Sequence, residues 1–129
     1  MRTFASGATR NLDSDKYDFE GFLSPAVLER FGMYMHGHRV QDDGTLRASD
    51  NWQKGIPKDQ YIKSLLRHVI DVWKEHRGLP SRDGLQDALC GVIFNSMGYL
   101  HEDIKEQRNA QKQQADLSGD ESELPAVYP

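Results

Sequence analysis

Two segments of helical periodicity, separated by a short turn, constrain this chain more than any other feature of its sequence. From Lys58 to His76 the residues Ile62, Leu66, Val69 and Trp73 recur within one narrow sector at 100° per residue, flanked by Leu65, Ile70 and Val72. Pro57 precedes this helix, and Gly78 stands near its end as a stop signal. A further helix is predicted from about Asp83 to about Ile104, with Leu85, Ala88, Leu89, Val92, Tyr99 and Leu100 on its apolar face. The connector between them is short and carries Pro80 and Ser81, so the two helices must fold back as an antiparallel hairpin.

An earlier helix starts at Ser24, an N-cap residue, with Pro25 at its first helical position. Val27, Leu28, Phe31, Tyr34 and Met35 give it one apolar stripe, and it should fray near His38–Val40. Residues 41–57 read as a long loop, and loops of that length are often functional. Residues 1–23 form a polar arm whose Tyr17, Phe19, Phe22 and Leu23 are too apolar for a free tail, so the arm is expected to lie on the body. Residues 105–129 read as fraying helix followed by disorder. The expected architecture is all-α: a helical bundle built on a helix hairpin, with one domain over residues 1–104.

Composition narrows the function classes. The chain has 129 residues, with 16 Lys+Arg against 20 Asp+Glu and a net charge of -4. That balance argues against nucleic-acid binding, which usually shows as a basic excess. A mean hydropathy of -0.73 leaves no membrane-spanning run. The opening residues hold no continuous apolar stretch, so no secretory signal is expected. Cys90 is the single cysteine, which rules out intrachain disulfides and fits a reducing compartment, the cytoplasm. Three helices make a thin core, and a domain that small is marginal alone, so a homo-oligomer (dimer or tetramer) is expected.

The acids carry the chemistry. His68, Asp71 and Glu75 share one edge of their helix beside the apolar stripe, and Asp83 and Asp87 are i, i+4 neighbours on the next. The hairpin sets Asp71 and Glu75 opposite Asp83 and Asp87. Four converging carboxylates repel by about 4 kcal/mol per close pair at an intermediate dielectric, which a divalent cation would relieve. Hard oxygen ligands of this kind suit Mg²⁺ or Mn²⁺. The competing explanation is plain surface chemistry: acids are favoured in the first turn of a helix by its dipole. His36 and His38, two residues apart, point to opposite helix faces and are rejected as a chelating pair.

Several blocks in order resemble a known family. Gly7-Ala8-Thr9-Arg10, Lys16-Tyr17-Asp18 and Gly21-Phe22-Leu23-Ser24-Pro25 are similar to the N-terminal domain of bacteriophage dATP/dGTP diphosphohydrolases. So are Asp50-Asn51-Trp52-Gln53-Lys54-Gly55-Ile56-Pro57, Arg67-His68 and Asp87-Ala88-Leu89-Cys90. The family is related to the MazG-like all-α nucleotide pyrophosphatases. The resemblance implies Mg²⁺-dependent cleavage of dGTP or dATP to the monophosphate and pyrophosphate, for nucleotide-pool remodelling in an infected host cytoplasm. The wider superfamily carries ExxE on one helix and ExxD on the next. This chain departs from that pattern, with His68-Val69-Ile70-Asp71 first and Asp83 to Asp87 second. Histidine in place of glutamate admits softer metals such as Mn²⁺ or Co²⁺.

The candidate metal ligands are therefore Asp71, Glu75, Asp83 and Asp87, with His68 or Glu75 as the group that accepts a proton from the attacking water. Arg10, Lys16 and Lys54 are candidate clamps for the triphosphate. Trp52 is placed to stack a purine, and Asn95, between Gly91 and Gly98, either meets a base edge or serves close helix packing. The alternative is a non-catalytic helical interaction protein on a nucleotidase-like scaffold, which the loss of the first superfamily glutamate supports.

Overall fold

The structure, a computed structural model, describes residues 2–11 and 16–118; part of the arm's charged run and the tail from residue 119 lie outside them. Within that range the chain is all-α apart from one two-residue ladder. The elements are β1 (Arg2–Thr3), β2 (Thr9–Arg10), α1 (Phe19–Phe22), α2 (Pro25–Gly37), α3 (Lys58–His76) and α4 (Leu85–Ser118), with a 3-10 turn at Asn51–Lys54.

Local chemistry sets most of these boundaries. The Ser24 hydroxyl accepts from the Val27 amide at 3.3 Å, and Pro25 opens α2 as predicted. The bounds of α3 are those read from the sequence, and Gly78 takes φ +77° just past its end. Gly84, at φ +90°, delays α4 to Leu85, and its carbonyl accepts the Ala88 amide at 3.0 Å. Beyond Ile104, where an end was expected, α4 continues to Ser118. The residues there are mostly Gln, Lys, Glu, Arg, Ala and Leu, good helix formers, with no glycine or proline before Gly119.

The helix hairpin forms as expected, but on an unexpected face. Tyr61 and His68 of α3 seat on Gly98 and Gly91 of α4, where any Cβ would overlap their rings. The two contacts lie seven residues apart on each helix and run in opposite directions, which defines the antiparallel register. That register brings Asp71 level with Ala88 and Ser64 level with Asn95. The seam is therefore small and polar: Asp71, Asn95 and Glu102 are buried in it.

The apolar stripe expected in the core faces outward instead. Ile62, Leu66, Val69, Ile70 and Trp73 are 40% to 57% exposed. Tyr61, only 2% exposed, points the opposite way, into the seam. The reason is steric. Two glycines on α4 allow the backbones to approach closely and accept two bulky rings, a fit the leucine-rich face of α4 does not offer.

Among the described residues the buried apolar side chains are Tyr34, Tyr61, Ala88 and Cys90, a thin core. Cys90 is 4% exposed, as expected of a small buried hydrophobe. Helix α2 lies on α4 through Arg30, whose Nε donates to Gln86 Oε1 at 2.9 Å. The described part of the arm, expected against the body, is largely exposed: Phe19 and Phe22 are 63% and 75% accessible. The isolated pairing of Val40 with Leu46 folds the start of the long loop back on itself.

Candidate functional site

A cavity of about 480 Å³ opens where the end of α2, the long loop and the hairpin meet. Its aromatic wall is built in the loop and on α4. The Trp52 ring packs edge-on against Phe94 at 6.1 Å and against His101 at 4.9 Å between centroids. The 3-10 turn at Asn51–Lys54 thus pins Trp52 to α4 while it still borders the cavity. Asn95 and His68 come from the seam and Tyr34 from α2. The cations on the cavity wall are Arg39 and Arg47. Arg39 Nε donates to the Arg47 carbonyl at 2.8 Å, which fixes the loop across the opening.

Two ionisable groups on this wall are shifted. Burial lowers the His68 imidazole below its ordinary range, and the charge of Arg82 adds to that, with Asp71 acting in opposition. Its neutral form is favoured and can accept a proton. Burial raises the Tyr34 phenol, and nearby Asp87 adds to the shift. Asn95 is 4% exposed and its Nδ2 donates to the Gly91 carbonyl at 2.7 Å. It therefore serves the helix seam and borders the cavity at once. His36 and His38 border it too, because His38 has left the helix as the C-cap of α2, with Nδ1 2.8 Å from the Tyr34 carbonyl.

Beyond His68, toward the hairpin turn, lie the four acids, and each of the three partly or fully buried ones has a partner. Asp71 Oδ2 accepts from Arg82 Nε at 2.9 Å and Nη2 at 2.6 Å. Glu75 Oε1 accepts from the Ser81 amide at 3.0 Å and its hydroxyl at 2.8 Å, tying the turn to α3. Asp87 pairs with Arg30 of α2. Asp83 is exposed at the turn. Among the described residues no three His, Cys, Asp or Glu side chains gather as a group able to hold a metal ion. The hairpin does bring these acids to one end of the molecule, but arginine and serine, not one another, face them. In this arrangement the four do not fit a single divalent ion as a ready ligand set.

The expected phosphate clamps fall elsewhere. Arg10 and Lys16 lie in the exposed arm and Lys54 on the exposed side of the 3-10 turn, and none of the three lines the cavity. Sequence reading missed Arg39, Arg47, Arg30 and Arg82. The first two could have been found as cations just before and within the predicted loop. The last two gave no signal, because their partners depend on which helix face turns inward.

Compared with family models, curated proteins and solved structures, the chain matches none.

Proposed function

We propose that the chain binds a deoxypurine nucleoside triphosphate in this cavity and hydrolyses it to the monophosphate and pyrophosphate. The observation that carries the reading is the meeting of Trp52, Asn95 and His68 with Arg39 and Arg47 around one cavity. Its volume falls within the ~300–1,000 Å³ typical of small-molecule sites. An aromatic wall suits a purine face. Two guanidinium groups suit phosphate oxygens, and in a chain of net charge -4 an anion needs such a local patch. A neutral imidazole beside them accepts the proton of a water that attacks phosphorus. Dependence on Mg²⁺, with Mn²⁺ or Co²⁺ in its place, belongs to the proposal as a requirement to be measured. The resemblance to phage dATP/dGTP diphosphohydrolases supports the choice of purine deoxynucleotides and of the host cytoplasm.

One observation favours the second reading, a non-catalytic interaction protein: Asp71, Glu75 and Asp87 are already satisfied by Arg82, Ser81 and Arg30. Incubating the purified protein with each dNTP and each of the three metals, then resolving products, separates the two. Pyrophosphate from dGTP or dATP is the expected result. Absence of turnover with every nucleotide and metal leaves only the interaction protein.

A further inference from the structure

The two arginines of the cavity wall belong to one small strand pairing. Val40 and Leu46 form its bridge; the Arg47 amide donates to the Arg39 carbonyl at 2.8 Å, and the Gln41 amide to the Thr45 carbonyl at 2.8 Å. This pattern sets Arg39 directly opposite Arg47 and Gln41 directly opposite Thr45. Residues that face each other in this way share one side of the pairing, as Gln41 Nε2 donating to Thr45 Oγ1 at 3.0 Å shows. Arg39 and Arg47 therefore stand side by side on the cavity wall. Val40 and Leu46 turn the other way, 59% and 57% exposed.

Like charges placed directly opposite destabilise a strand pair. Nothing local offsets this one. Among the described residues neither guanidinium pairs with a carboxylate, and no carboxylate lines the cavity. The pairing is held at its tip instead, where Gly44 takes φ +84° and Asp43 Oδ1 accepts from the Thr45 amide at 3.0 Å and its hydroxyl at 2.6 Å. Arg39 Nε is tied to the Arg47 carbonyl, which keeps the Arg39 head beside the Arg47 backbone and leaves its two terminal nitrogens for another acceptor. Two adjacent guanidinium forks with no carboxylate of their own match a ligand that carries several neighbouring anionic oxygens.

The opposite wall decides which oxygens these are, a step that rests on the hydrolysis proposed above. His68, the proton acceptor, comes from the seam, whereas the Arg39–Arg47 pairing lies across the opening. Phosphorus under attack by water must lie at His68, so the phosphates beyond it reach the pairing. As the water oxygen bonds to the α-phosphorus, its proton passes to His68 and the bond from that phosphorus to the bridging oxygen breaks. The electron pair stays on the bridging oxygen, and pyrophosphate leaves with that charge. We propose that Arg39 and Arg47 form a leaving-group clamp: they hold the pyrophosphate end of the nucleotide, stabilise the charge developing there, and make free pyrophosphate a competitive inhibitor at the same site.

Titration calorimetry in Mg²⁺ buffer with inorganic pyrophosphate, orthophosphate and dGMP tests the clamp on the wild type and on Arg47→Gln. Arg47 is exposed and its side chain makes no hydrogen bond or ion pair among the described residues, so the variant should melt like the wild type; Arg39→Gln is the second variant. Pyrophosphate is expected to bind the wild type about tenfold or more tighter than orthophosphate, and to lose about tenfold or more in each variant, as for a lost charge-assisted contact. The affinity for dGMP, which has no pyrophosphate end, should change by less than about twofold. In turnover assays pyrophosphate should compete with dGTP. Orthophosphate binding as tightly as pyrophosphate overturns the proposal. So does a dGMP affinity that falls as far as that for pyrophosphate, which would put the pair on the α-phosphate. Turnover of dGTP that pyrophosphate leaves unaffected overturns the clamp while hydrolysis stands. No turnover of any nucleotide, with pyrophosphate still bound through Arg47, overturns hydrolysis and the leaving-group role together.

Discussion

Asp71 shows how one neighbour reverses the sign of an expectation. Read from spacing, it is one of four repelling carboxylates, and its loss should raise stability. Held by Arg82 at 2.6 Å and almost wholly buried, it is instead half of an ion pair. Breaking a fully buried pair costs roughly 3–5 kcal/mol; because Arg82 is half exposed, Asp71→Ala is expected to cost about 2 kcal/mol in urea unfolding. If Asp71 also serves turnover, activity per folded molecule should fall about a hundredfold. A loss of stability with turnover intact marks a purely structural residue. His68 makes a second prediction at this scale. Its pKa is lowered in the fold, so the unfolded chain binds the proton more readily. Its contribution to stability is complete above the unfolded value of about 6.5 and is lost as pH falls through the lower folded value. Urea midpoints measured between pH ~7 and ~5 should therefore drop more steeply for the wild type than for His68→Asn, in which that imidazole is gone. Equal slopes would contradict the assignment.

At the scale of elements, what the sequence made legible and what it hid have a common physical division. Boundaries were legible wherever a local signal decides them, as at Ser24-Pro25, Pro57 and Gly78. Which face of α3 turns inward was not, because that choice lies in the partner helix. The apolar stripe is the stronger pattern along α3, yet Gly91 and Gly98 give Tyr61 and His68 a fit that wins the seam. The same reversal explains the site. Asp71 and Asn95 could be singled out by residue type, whereas Arg82 and Arg30 became visible only with the inward face known. Close approach at the two glycines is directly testable. Gly98→Ala puts a methyl into the Tyr61 ring and should destabilise the fold by about 1–3 kcal/mol in urea unfolding, although alanine is intrinsically the better helix former. An unchanged or higher midpoint would mean that the helices do not meet there.

For the molecule as a whole, the layers have separate tasks. The hairpin supplies a polar seam, α2 and the long loop close one side of it over a cavity, and the apolar stripes of α3 and α4 face outward. The cavity is the part on which the proposed function rests. Trp52 and Asn95, chosen from sequence as base contacts, both border it, and His68 joins them from the seam. The cations that complete it, Arg39 and Arg47, replace the arm and turn residues first assigned to phosphate. The most direct measurement is a dGTP and dATP titration of the isotope-labelled chain followed by NMR. The account predicts that the Trp52 indole, the Asn95 side-chain amide, the His68 ring and the Arg39 and Arg47 guanidinium signals shift together and saturate. Shifts confined to the arm, or no saturable shift with either purine nucleotide, would contradict it.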